Sequence, residues 1–143
     1  EPERAGREVR AAGGDALLNG TIEAAEELVF PPNGASVTYD PGSKVVTVRF
    51  TTPTSYKIDY ANFWLRWRDN QWTVLQQFKE ASIPVNKVVA ITNYHDQATS
   101  EVRAETSAGD IDRYARSTSD ELWLRATTMH QRVSREEEWS KIE

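Results

Sequence analysis

The sequence predicts a single α+β domain: one four-stranded antiparallel sheet built from two hairpins, with helices packed on one face, in the order αββαββαα. Three observations carry this. Tyr60 to Phe78 places Tyr60, Phe63, Trp64, Trp67, Val74, Leu75 and Phe78 on one arc of roughly 120° at helical spacing. Two pairs of short β-branched runs flank that helix, each pair joined by turn residues. The chain has 143 residues, 38% of them hydrophobic, which suits one domain with a substantial core.

Residues 1–14 are polar, carry mixed charge and end in Gly13-Gly14, the pattern of a frayed or separately helical lead-in. The domain is expected to span 15–134. Asp15 is the expected N-cap of a first helix over 15–29, with Leu17, Leu18, Ile22, Ala25, Leu28 and Val29 on one face and Asn19, Glu23, Glu26 and Glu27 on the other. Pro31-Pro32 ends it, because proline cannot donate to a helix and disfavours helical geometry in its predecessor.

Ser36 to Asp40 and Lys44 to Thr51 form the first expected hairpin across Asp40-Pro41-Gly42-Ser43, with proline presetting φ at the second turn position and Gly42 accepting positive φ at the third. Val46, Val48 and Phe50 alternate with Thr47, Arg49 and Thr51, so one face is wet. In the helix that follows, Gln71 is the sole polar residue on the apolar arc. Ser82-Ile83-Pro84 closes it.

Val85 to Tyr94, rich in β-branched residues, is the expected buried strand, contributing Val89 and Ile91. Asp96-Gln97-Ala98 turns it into Thr99 to Thr106. There Val102 and Ala104 alternate with Glu101, Arg103 and Glu105, which predicts an edge strand with charge on one face. Ser107 is positioned to cap a short helix over 108–116. Thr118-Ser119-Asp120-Glu121 is a capping-box pattern opening a last helix with Leu122, Trp123, Ala126, Met129, His130 and Val133 on one face, followed by a charged tail over 135–143. This order resembles, in layout alone, the helix-strand-strand-helix-strand-strand modules of bacterial envelope proteins such as the BON type. No residue motif carries the resemblance, and Val48-Arg49-Phe50-Thr51 lacks the glycine often present there.

A formal charge of −5 argues against a polyanion as partner. The absence of cysteine excludes disulfides and thiolate metal sites. No run of about 18 apolar residues is present, so no transmembrane segment is predicted. The chain begins at Glu1 without an initiator methionine, as expected of a processed or excised protein. A secreted or cell-envelope setting is the favoured expectation.

Candidate chemistry is sparse. His95 beside Asp96 reads as a solvated turn pair and His130 as a partly buried helix residue, and no catalytic or phosphate-binding motif accompanies either. Asp110 and Asp112 lack the rest of a calcium loop, and Asp110 is explained by a helix N-terminus. No cofactor or metal is expected. Arg66-Trp67-Arg68 mixes cations with an aromatic ring, but Trp67 falls on the core arc, so no nucleic-acid partner is expected.

Two binding surfaces are predicted for a protein partner or self-association. One is an apolar seam of Leu65 and Trp72 with Arg68 between them. The other is the edge of the Thr99 to Thr106 strand, with Glu101 and Arg103. The expected function is a non-catalytic binding or assembly module of a secreted or envelope-attached protein. Its alternatives are a small hydrolase-like enzyme around His95 and a cytoplasmic nucleic-acid adaptor.

Overall fold

Strict alternation from Val45 to Phe50 becomes strict alternation of burial, with Val46, Val48 and Phe50 in the core and Val45, Thr47 and Arg49 half-buried on the other face. This strand belongs to a computed structural model that describes residues 12–29, 35–50, 60–94, 97–117, 121–132, 134 and 136–141, with the side chains of 12–15, 60–67, 93–94 and 97–100 outside the description. In order the elements are α1 (Ala12–Leu28), β1 (Ser36–Asp40), β2 (Val45–Phe50), α2 (Tyr60–Glu80), β3 (Lys87–Tyr94), β4 (Gln97–Ser107), α3 (Ala108–Tyr114), α4 (Glu121–Ala126), β5 (Thr128–Arg132) and β6 (Ser140–Lys141).

The fold is α+β with helices and one sheet, but the sheet has six strands in the order β1-β2-β3-β4-β5-β6, not four. Nor is it wholly antiparallel. The β1-β2 and β3-β4 pairs are antiparallel, whereas β2 and β3 run parallel, Val45 aligning with Lys87 and Phe50 with Thr92. The reason is the length of the connection: a helix between two strands returns the chain to the starting end of the first, whereas a tight turn reverses it.

The last predicted helix stops at Ala126. Thr127 Oγ1 donates to the Trp123 carbonyl at 2.6 Å, and the chain becomes extended from Thr128. Met129 and His130 suited a helical face, but they equally suit alternation, with Met129 towards the core and His130 on the opposite face. The tie is broken by β4, whose ladder aligns Ala104 with Met129 and Arg103 with His130. An unpaired β4 would leave a row of backbone donors and acceptors along a strand with buried flanks. β4 is therefore an interior strand and not the predicted edge. In the tail, Ser140 and Lys141 pair with Gln131 and His130.

Two local readings also change. Asp15 lies inside α1, which begins at Ala12, so it is not the N-cap. In the β1-β2 turn the positive φ falls on Lys44, at 59°, and not on Gly42. Asp40 organises that turn instead: its carboxylate accepts from Gly42 N at 2.9 Å and Ser43 Oγ at 2.8 Å, while its carbonyl accepts from Lys44 N at 2.7 Å. Ser107 does cap α3, accepting from Asp110 N at 3.3 Å.

One face of the sheet, carrying Val37, Val46, Val48, Phe50, Val88, Ala90, Val102 and Ala104, is buried in a single cluster with Ala25 and Val29, with Val74, Leu75 and Phe78 of α2, with Ile111 of α3 and with Trp123 of α4. Within this apolar layer Gln71, from α2, is fully buried. Its Oε1 accepts from Trp123 Nε1 at 2.8 Å, and its Nε2 donates to Val88 O, Ala104 O and Thr106 Oγ1 at 3.3, 3.3 and 3.1 Å. Because indole nitrogen can only donate, the amide orientation is determined.

The hydroxyl protons follow. Thr127 spends its proton on the Trp123 carbonyl, so in the 2.8 Å contact between Thr106 Oγ1 and Thr127 Oγ1 it is Thr106 that donates. A closed ring of hydrogen bonds thus joins α2, β4, Thr127 and α4. The side chains of Trp64 and Trp67, predicted to be core, lie outside the described residues.

Replacing Gln71 by leucine keeps the volume but strands the Trp123 donor and the Thr106 acceptor. We expect a loss of about 1–3 kcal/mol per buried group left unpaired. Trp123→Phe should cost stability too, and the double variant less than the sum, because both single changes break the same ring. Urea unfolding of the four proteins measures this; strictly additive losses would show the ring to be energetically idle.

Candidate binding site on the ionic face of the sheet

The alternation that buries one face of the strands sends Arg49 of β2, Lys87, Val89 and Ile91 of β3, Glu101, Arg103 and Glu105 of β4, and His130 and Arg132 of β5 to the other. Register then decides which meet. Arg49, Ile91, Arg103 and His130 form one row across four strands, and Glu101 and Arg132 are aligned in the next.

Glu101 is the centre of this face and is only 2% exposed. Its Oε1 accepts from Arg132 Nε at 3.0 Å and Nη2 at 2.7 Å, and its Oε2 accepts from Arg49 Nη1. The Arg49–Glu101 pair bridges across β3, beside Ile91, which is itself buried at 6%. A carboxylate this deeply buried is tolerable only because charge-assisted donors reach both of its oxygens.

A second carboxylate repeats the arrangement. Glu105 accepts from Lys87 Nζ at 2.9 Å, pairs with Arg103 Nε at 3.1 Å, and has His130 Nδ1 at 3.6 Å. Burial opposes its ionisation, but the Lys87 hydrogen bond and the charges of Arg103, Lys87 and His130 prevail and hold its pKa below the usual range. The segment leading into β6 adds Trp139, over whose ring the guanidinium carbons of Arg103 and Arg132 lie at 4.6 and 4.2 Å from the centroid.

Of the predicted site residues, the structure brings Glu101 and Arg103 together here, in mid-sheet. Trp72 and Arg68 are elsewhere, on α2. Trp72 is half-buried against the core, with the Arg116 guanidinium 5.6 Å from its ring centroid, and Arg68 is buried at 6%. The side chain of Leu65 lies outside the described residues, as do His95 and Asp96 entirely. Arg49, Lys87, Arg132 and Trp139 were missed by sequence reasoning. Alternation on each strand placed Arg49 on a wet face, but no sequence signal specified which strands would be neighbours.

Among the described residues no cluster of three or more His, Asp or Glu side chains is placed to hold a metal ion, and no helix is long and apolar enough to cross a membrane. The architecture defines a mixed-sheet α+β domain with one face under helices and the other carrying a shared-carboxylate ion network. Comparisons with family models, with curated proteins and with solved structures found no match to this chain.

Glu101→Gln should be severely destabilising, by about 3–5 kcal/mol, because it leaves two guanidiniums facing a neutral amide. Acid sensitivity follows from Glu105. Its folded pKa lies below its unfolded value, so its contribution is complete above the unfolded carboxylate pKa, about 4.3, and is lost as pH falls through the folded one. Denaturant midpoints measured from pH 7 downward should decline below roughly pH 5. Glu105→Gln should flatten that decline without abolishing it, since Asp40, held below its usual pKa by Ser43 and Gly42, contributes with the same sign. An unchanged slope in the variant would remove Glu105 from the account.

Proposed function

We propose that this domain is a non-catalytic binding module that engages an acidic partner protein through the ionic face of its sheet. The observation that carries this reading is a concentration of cations: among the described residues of the sheet, Arg49, Lys87, Arg103 and Arg132 converge on two carboxylates, Glu101 and Glu105, in a chain whose formal charge is −5. Each cation is held by a carboxylate shared with another, so the array is rigid before a partner arrives and little side-chain entropy is lost on binding. Complementary charge would raise the encounter rate and discourage basic partners.

Neither surface predicted from sequence serves as well. The edge of β4 is occupied by β5, and the Trp72 end of the helix seam is met by Arg116. The polyanion argument from net charge is not decisive here, because a local patch and not the average meets the partner.

Poly-L-glutamate is a direct probe. Titrated into the labelled protein and followed by backbone amide shifts, it should bind saturably at low salt, perturb β3, β4 and β5, and weaken as salt rises. Combining Lys87→Ala with Arg103→Ala should weaken binding about tenfold or more while leaving a cooperative unfolding transition. The absence of saturable binding, or equal affinity in the double variant, would sink the proposal.

A further inference from the structure

The segment from Glu136 to Lys141 places on the ionic face the only indole that touches it among the described residues, in the sequence Glu136-Glu137-Glu138-Trp139-Ser140-Lys141. We infer that this segment is an occupant in cis of a recognition site for peptides in which carboxylates precede an aromatic residue. The inference rests on the binding reading above and names the partner's chemistry more narrowly: an acidic–aromatic peptide segment, and not acidic surface in general.

Three observations converge. Arg103 and Arg132, from neighbouring strands, both lie over the Trp139 ring, at 4.6 and 4.2 Å from its centroid, so one aromatic residue is held against two cations. Three carboxylates immediately precede that ring in sequence, and all three residues are exposed. Among the described residues the ladder that attaches it is short: β6 contributes Ser140 and Lys141, paired with Gln131 and His130. A segment joined by so short a ladder can separate without unfolding the sheet beneath it, since β5 remains paired with β4 over Glu101 to Glu105. Being tethered, it competes at an effective concentration in the millimolar range, so a partner segment must match its chemistry to displace it.

The test uses a synthetic hexapeptide copy of residues 136–141, blocked at both ends, titrated onto the full chain and onto its Trp139→Ala variant. Emptying the aromatic position in cis should let the peptide bind at least tenfold more tightly to the variant than to the parent. Adding Arg103→Ala to Trp139→Ala should abolish the gain. Trp139→Phe, which keeps a ring, should behave as the parent, and Trp139→Leu, which keeps apolar bulk without one, as the alanine variant; the leucine variant also serves if alanine proves too unstable to study.

Equal affinity for parent and Trp139→Ala would overturn the inference. So would a control peptide with alanine in place of tryptophan that binds as well as the original, because charge alone would then be recognised. If poly-L-glutamate binds the parent while the hexapeptide shows no preference for the variant, the cis-occupant inference fails and the acidic-partner reading stands. If neither probe binds either protein, both fail.

Discussion

A single neutral amide holds the layers of this protein in register. Gln71 sits on the apolar face of α2, where its hydrogen-bonding groups would be costly if left unpaired, and every partner it finds comes from another element: β3, β4 and α4. Such a group is directional in a way that methyl groups are not. Valine, leucine and phenylalanine contacts tolerate small shifts of α2 along the sheet, whereas the amide accepts only the placement that reaches the indole nitrogen, two carbonyls and a threonine hydroxyl together.

That constraint extends through the sheet to its other side. Trp123 and Thr127 bracket the end of α4, and the ring that ties them to Gln71 and Thr106 determines where β5 begins. Once Thr128 lies against Glu105, register aligns His130 with Arg103 and Gln131 with Val102, and Arg132 arrives beside Glu101. The ionic face is in this sense a consequence of the polar ring in the core. Its energetics differ in kind. Shared buried ion pairs contribute modestly to net stability, because desolvation offsets much of the attraction, but they are strongly destabilising when one member is removed. An array of this sort is better understood as positioning charges than as holding the fold together.

The two edges of the sheet are managed separately. On β1, Val37 N donates to the Glu26 carboxylate of α1 at 2.8 Å, so an outward-facing backbone donor is satisfied by a side chain from the covering helix. Tyr39 anchors the same strand, its hydroxyl donating to Pro84 O at 2.6 Å and its ring lying 5.3 Å from that of Phe78. At the far side β6 comprises two of the described residues, Ser140 and Lys141, a short edge of the kind that gives little template for extended pairing. Asn86 closes one end of the sheet, its side chain donating to Ser43 O at 3.2 Å and its backbone linking Lys44 to Ala108.

What the sequence determined by itself were the local elements whose patterns had one interpretation. Val46-Thr47-Val48-Arg49-Phe50 could alternate only as a strand with one wet face, Ser107 could cap the helix it precedes, and the long helical stripe left Gln71 visible as an anomaly before its partners were known. The sequence also assigned Glu101, Arg103 and Glu105 to one face. Tertiary structure decided the rest, for a definite physical reason. Thr128 to Arg132 suits a short helix or a short strand equally well, and the choice fell to the unpaired side of β4, a partner distant in sequence. The same holds for the site: Arg49, Lys87, Arg132 and Trp139 lie far apart along the chain or beyond a turn, and strand pairing alone gathers them around two carboxylates.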